Sequence, residues 1–453
     1  MPARDIKTVL TSTKGFTLVE TLVSLALLLM FFTAIATIFE MVTNIVGESR
    51  LKTIGTSLAV EKIELVRNLS YADLGTIGGI PSGVLEQSEV INVSGQDFTV
   101  ATTVIYIDDP FDNQLPDDPI STDYKRVRVS VSWGGVFASR VPVTLTTDVV
   151  PDGLETSEGG GTLIINVINS SGEAVSNASV SIENTSVDPQ IDLAITTNNQ
   201  GETILPGAPA CSDCYRIEVT KDGYTRDRTY SLTEIANPLK PDATVIEGEI
   251  TSLTFTIDES VSIHVETRGP KSSNYPPFAG VQFRLQGSKL LGTDEFDEPV
   301  YKYDETLSSG PGGILNLPEM EPDVYEVWIP EGSSVDLAGT SPISPFVVLP
   351  GLDKNLLIVT SPATPNNLLV IVQNLEGTPI SSALTSISKA PAFIASGSTS
   401  IAGEPDNGHI FYPNLTTDTY EVIASKSGYI TATGSALVSG DSKILLQMEV
   451  NEE

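Results

Sequence analysis

From Phe16 to Phe39 nearly every position is apolar, in the order Phe-Thr-Leu-Val-Glu-Thr-Leu-Val-Ser-Leu-Ala-Leu-Leu-Leu-Met-Phe-Phe-Thr-Ala-Ile-Ala-Thr-Ile-Phe. A helix over this run, at ~1.5 Å per residue, reaches about 36 Å, enough to cross a bilayer core. Arg4, Lys7 and Lys14 precede it and outweigh Asp5. Basic residues ahead of a span predict a cytoplasmic N-terminus and export of the rest. A secretory signal peptide has a shorter apolar region closed by a small-residue cleavage site, whereas this run passes into Glu40, Met41, Val42 and Ile45. Leu51, Ile54, Leu58, Leu65 and Leu69 then recur at helical spacing, with Glu61, Lys62, Glu64 and Arg67 on a solvated face between them. The helix is therefore expected to continue, with Gly47 and Gly55 as bend points, until turn residues from Tyr71 to Gly79 end it.

The pattern changes to a period of two after residue 80. Val90–Val93, Phe98–Tyr106 and Tyr124–Trp133 read as strands, and the last alternates polar with apolar, so one face is buried and one wet. Residues 151–161, ending Glu-Gly-Gly-Gly, read as a flexible linker. Beyond it the chain repeats itself. The stretch from Leu163 through Gly172 to Ala178 matches Leu368 through Gly377 to Ala383, and Tyr215 and Gly223-Tyr224 match Tyr420 and Gly428-Tyr429, all at one constant offset. A more diverged copy runs from Val261-Ser-Ile-His-Val past Gly312-Gly313-Ile314 to Tyr325-Glu-Val-Trp328. Each unit reads as strand, Gly-containing turn, strand, hairpin and Tyr-led strand, which predicts sandwiches of two antiparallel sheets. Tyr224 and Tyr429 read as packing residues beside a turn rather than ligand contacts.

Charge narrows the partners. With 25 Lys and Arg against 58 Asp and Glu the formal net charge is -33, so nucleic acid is not expected as a partner. Two histidines and two cysteines leave little for imidazole catalysis or a disulfide framework. Cys211 and Cys214, just before a strand, have neither a βαβ context nor two further zinc ligands nearby. A local disulfide formed after export is the first reading, and free thiols in a turn the other. An acidic stretch carries Asp108, Asp109, Asp112, Asp117 and Asp118, with Asn113 and Asp123 beside them. Calcium takes oxygen ligands from loops of this kind, but the spacing is no EF-hand, and Pro110, Pro116 and Pro119 suit an ordinary solvated turn. No catalytic elbow, zinc-protease helix, phosphate loop or dinucleotide fingerprint occurs, and no enzyme or other cofactor is expected.

Glu20 is a carboxylate one turn inside the apolar run, and such a group is costly without a partner. Lys14-Gly15-Phe16-Thr17-Leu18-Val19-Glu20 resembles the processing motif of type IV prepilins and pseudopilins. The resemblance implies cleavage after Gly15 by a prepilin peptidase and methylation of Phe16 as the mature N-terminus. It implies that Glu20 pairs with a neighbouring subunit's new amine, setting register in a helical filament. The strand at Tyr124–Trp133 resembles those of pilin heads, some of which bind calcium near this acidic loop. Residues 162–450 resemble carboxypeptidase regulatory-like domains, related to transthyretin-like and collagen-adhesin B-type folds, which serve as stalks, spacers or binding modules without activity. Some adhesin stalks carry a lysine–asparagine crosslink, but the opening strands Leu163–Ile168 and Leu368–Val372 lack lysine.

The expected architecture is α+β: a long N-terminal helix on a small antiparallel β head, then three tandem all-β sandwiches. The divisions are a leader at 1–15, a membrane and polymerisation helix at 16–47, amphipathic helix and head at 48–150, and the linker at 151–161. The sandwiches follow at 162–258, 259–360 and 366–450. The expected function is a minor filament subunit, inserted in the inner membrane as a precursor and then displayed at the cell surface. Its tail serves adhesion to an unknown surface ligand, or spacing. The alternatives are a pseudopilin of a type II secretion or DNA-uptake system, and a membrane-anchored surface protein that never polymerises.

Overall fold

The computed structural model describes residues 18–108, 122–135, 137–139, 141–151, 160–389 and 392–451. The chain forms two compact units, Met1–Ser157 and Glu158–Glu453. Among the described residues it has one long helix and is otherwise mostly β.

In the first unit, α1 spans Leu18–Arg67. It is followed by β1 (Ser88–Val93), β2 (Gln96–Ile107), β3 (Tyr124–Trp133) and β4 (Val143–Val149), an antiparallel sheet in sequential order. The alternation of β3 is realised: Val127, Val129, Val131 and Trp133 face inward and pack with Phe98, Val100 and Val104 of β2. Ala59, Ile63 and Val66 of α1 close this core from one side. The glycines of α1 have a packing role. The helix is continuous through both, and an added Cβ would come within 2.8 Å of Phe137 at Gly47 and 2.8 Å of Trp133 at Gly55. They are small because an aromatic ring needs the space, a tertiary reason that helix propensity does not contain.

The second unit contains three sheet pairs. The first uses β5 (Gly160–Ile168), β6 (Ser179–Asn184), β7 (Ile191–Thr196), β8 (Glu202–Pro209), β9 (Cys211–Thr220), β10 (Asp227–Arg228), β11 (Asn237–Pro238), β12 (Ala243–Val245) and β13 (Ile250–Thr256). The second uses β14 (Val261–Arg268), β15 (Gln282–Gly287), β16 (Leu290–Thr293), β17 (Pro299–Tyr301), β18 (Asp304–Ser308), β19 (Ile314–Met320), β20 (Val324–Trp328), β21 (Val335–Ser341), β22 (Phe346–Val347) and β23 (Lys354–Pro362). The third uses β24 (Asn367–Asn374), β25 (Leu384–Lys389), β26 (Ala392–Ser398), β27 (His409–Tyr412), β28 (Asp418–Ser425), β29 (Ala432–Val438) and β30 (Asp441–Met448).

One plan recurs. The sheets are β13-β5-β8 with β10-β9-β6-β7, β19-β14-β23-β21 with β18-β15-β20-β22, and β27-β24-β30 with β26-β25-β28-β29. In each sandwich the opening strand lies parallel to the closing one: β5 with β13, β14 with β23, β24 with β30. The remaining pairs in these sheets are antiparallel, as short turns require. Cores form between the paired sheets, for example Ile263, Phe283, Tyr325 and Leu356 in the second and Val370, Ile387, Val422 and Leu446 in the third.

The repeat is carried by local chemistry. Asn169 directly follows β5 and Asn374 ends β24, and each side-chain oxygen accepts backbone N–H groups from the following turn. Gly172 and Gly377 then take φ of 79° and 81°, the left-handed region where a Cβ is costly. In every sandwich a fully buried tyrosine donates its hydroxyl to an upstream carbonyl: Tyr215 to Pro209, Tyr325 to Glu321, Tyr420 to Thr416. Tyr224 and Tyr429 sit beside their turns under Lys221 and Lys426, 4.5 and 5.9 Å from the ring centres.

The sandwiches are joined by more than their connecting chain. Asn237 and Pro238 of β11, from the first sandwich, pair with Thr293 and Gly292 of β16, and β17 completes a small shared sheet. Lys302 Nζ donates to the carbonyl of Arg226 across the same joint at 3.0 Å. Between the second and third, Lys271 Nζ reaches Ser400 Oγ at 2.8 Å and Glu404 at 2.7 Å, and the Tyr275 hydroxyl donates to Asp406 at 2.7 Å. Gly339 of β21 fits tightly there, since a Cβ on it would lie 2.5 Å from that of Asp406.

Candidate functional site

The sequence-derived site begins at the N-terminus. Gly15 and Phe16 lie outside the described residues, as does the side chain of Glu20; the backbone at position 20 is already in α1. From Leu18 to Val46 the described side chains of α1 are exposed all round, among them Leu18 at 76% and Phe39 at 70%. A helix that is apolar on every face is stable only against lipid or other apolar chains. By length and composition it can cross a membrane. The second half of α1 behaves differently: Leu51, Ile54, Leu58, Ala59, Ile63 and Val66 pack on the sheet, whereas Leu65, expected on the same face, is 47% exposed.

Contacts from α1 to the sheet fix this seat. Trp133, at the end of β3, rests beside Gly55 and donates its indole N–H to the carbonyl of Phe137 at 2.7 Å. Phe98 lies against it at a centroid distance of 5.6 Å. Lys62, read from sequence as part of a solvated face, instead pairs with Glu89 of β1, because the sheet edge brings that carboxylate within reach. Lys125 was missed as a structural residue. It occupies the core side of β3, 1% exposed, where its ammonium donates to the carbonyl of Tyr71 at 2.8 Å and lies 4.4 and 5.3 Å from the rings of Tyr71 and Tyr106. The signal was its phase: Lys125, Val127, Val129, Val131 and Trp133 share one face of an alternating strand.

Of the acidic stretch, Asp108 follows β2, while Asp109, Asp112, Asp117 and Asp118 lie outside the described residues. Among the described residues no cluster of three or more His, Cys, Asp or Glu could hold a metal ion. Cys211 and Cys214 are joined as a disulfide at the start of β9, with Cα atoms 6.1 Å apart, and Asn184 donates its amide to Cys214 Sγ at 3.2 Å. His264 is a surface residue whose Nδ1 lies 2.8 Å from Asn316 Oδ1. His409 is 1% exposed, and Nδ1 lies 3.0 Å from the carbonyl of Asn407, so the proton sits on Nδ1. Its Nε2 is buried with no hydrogen-bond partner among the described residues, and burial pushes the imidazole below its ordinary value. On the first sandwich, the hydrogen bond from Arg228 holds the Glu234 carboxyl down to about 2, helped by the backbone of Ser231 and by Arg216.

No protein-family model matches the chain. No curated protein matches it either. Among solved structures it is similar to the Bacillus anthracis TIE protein, at 12% identity over 80% of this chain and 73% of that one, with a TM-score of 0.19. It is also similar to the shaft pilin SpaA from Lactobacillus rhamnosus GG, at 13% identity over 43% of this chain and 99% of that one, TM-score 0.16. A third is BcpA, the major pilin subunit of Bacillus cereus, at 9% identity over 64% and 100% of the two chains, TM-score 0.17. At such TM-scores these are statements of similarity alone.

Proposed function

We propose that the chain is a minor type IV pilin-like subunit that a prepilin peptidase clips after Gly15, that enters a helical filament, and that displays the β-sandwiches outside the cell. One observation carries this reading. The Lys14-to-Glu20 motif leads directly into a helix whose first part is apolar on all faces and whose second part is seated on a small antiparallel sheet. Lipid holds the first part before assembly, and neighbouring helices hold it afterwards. The sheet then serves as the pilin head, and the three sandwiches as a tail divided near residues 162–258, 259–360 and 366–450. A tail larger than the head crowds if repeated on every subunit of a tight helix, which favours a minor position at or near a filament tip.

Mass spectrometry of the mature N-terminus, on protein from membranes and from sheared surface filaments, tests this reading. The expected result is a peptide beginning at N-methylated Phe16 in the filament fraction. An intact Met1 or Pro2 terminus confined to membranes would refute processing and leave a signal-anchored surface protein.

A further inference from the structure

Only two tryptophans occur in the chain, and they are used in opposite ways. Trp133 is a core residue of the first unit. Trp328 lies in β20, where Tyr325 and Val327 point into the core of the second sandwich and Glu326 and Trp328 point out of it. The ring is half-buried and fixed in place: the Arg284 guanidinium lies 5.1 Å from its centre, and two 2.5 Å bonds to Asp304 hold that guanidinium. Opposite stands the outer face of the third sandwich's β24 and β30. Between them is a cleft of about 370 Å³ whose lining includes Glu326, Trp328, Glu331, Leu369, Ser442 and Lys443. Lys443 and Glu326 form an ion pair from one sandwich to the other. Glu331 has no hydrogen bond or ion pair among the described residues.

We infer that this cleft binds a neutral sugar. A pyranose has a C–H face that stacks on an indole and a rim of hydroxyls that need both donors and acceptors. The cleft supplies Trp328 for the first, and Glu331, Ser442 and the Lys443–Glu326 pair for the second. Its volume is near the low end of the ~300–1,000 Å³ range of small-molecule sites, room for about one or two hexose rings, and it lies where two folded bodies meet. Other ligand classes fit less well. The carboxylates of Glu326 and Glu331 and the net charge of -33 oppose acidic sugars and nucleotides. The inference deepens the proposed function by giving the displayed tail a ligand. It depends on that reading only for where the ligand is met.

The test uses the full-length protein in a detergent without a sugar headgroup. Methyl glycosides of glucose, galactose and mannose, and N-acetylglucosamine, are titrated by saturation-transfer NMR and tryptophan fluorescence. At least one is expected to bind saturably with a dissociation constant of about 1 mM. Trp328→Ala is expected to weaken that binding about tenfold or more by NMR, and Glu331→Gln, which disturbs no packing, about threefold. Absence of saturable binding by all four up to about 50 mM overturns the inference. So does a Trp328→Ala protein that loses stability but keeps wild-type affinity, the behaviour of a tryptophan that only glues two sandwiches together. Because binding is read on the purified chain, an unprocessed N-terminus with intact sugar binding would sink the filament reading alone.

Discussion

His409 shows how one side chain can make a domain sensitive to acid. Its imidazole is neutral, buried, and hydrogen-bonded through Nδ1 only. Protonation places a charge on a ring that is almost fully buried, where Asp406 acts on it only through space and no carboxylate lies at hydrogen-bond distance. The folded value lies below the unfolded one, so the unfolded chain binds the proton first as pH drops. The stabilisation from a neutral His409 is thus complete above the ordinary histidine range and is lost as pH falls through and below it. Urea titrations at pH 7.5 and pH 5.5 should show a lower midpoint at pH 5.5, and His409→Gln should flatten the difference. An unchanged pH dependence in the variant would assign it to carboxylates instead. The partner choices of Lys62 and Lys125 belong to the same scale, since each is decided by a residue far away in sequence, Glu89 and Tyr71.

At the scale of elements, the seat of α1 makes a direct prediction. Gly55→Leu forces four carbons into space held by Trp133, which overpacking data put at ~1–3 kcal/mol. The thermal midpoint of the first unit should fall, with the fluorescence of Trp133 altered. A midpoint equal to wild type would mean that the helix is not seated there. Much at this scale was legible. The alternation of β3 and the Gly-marked turns at Gly172 and Gly377 follow from local rules, and the strand at Ser179–Asn184 has its repeat counterpart at Leu384–Lys389. The uninterrupted apolar run of β24 was legible as a strand, but not the reason for its second apolar face. Leu369 and Ile371 are buried because another sandwich covers them, and no periodicity encodes a neighbour. The room that Gly47 and Gly55 leave for Phe137 and Trp133 was hidden for the same reason. The shared sheet of β11, β16 and β17 left no signal, because a two-residue strand such as Asn237–Pro238 bonds through its backbone.

For the whole molecule, the outcome at Glu20 decides whether α1 is a mere anchor or an assembly element. On the proposed reading, a Glu20→Ala chain should still insert and still be clipped. Its share of sheared filaments relative to membranes should fall about tenfold or more, because the amine that the proposed cut creates at Phe16 then lacks its counter-charge. Equal incorporation of the variant, measured by quantitative proteomics, would remove the proposed pairing. The parallel pairing of first and last strands has a mechanical consequence for a chain held at one end and gripped at the other. Tension enters a sandwich at the head of its opening strand and leaves at the foot of its closing strand. Between β5 and β13 seven residue pairs, and between β14 and β23 six, then lie side by side along the line of pull. Their hydrogen bonds are loaded together in shear rather than opened one after another like a zip. A sandwich built this way resists stretching along the chain far better than its thermodynamic stability alone implies.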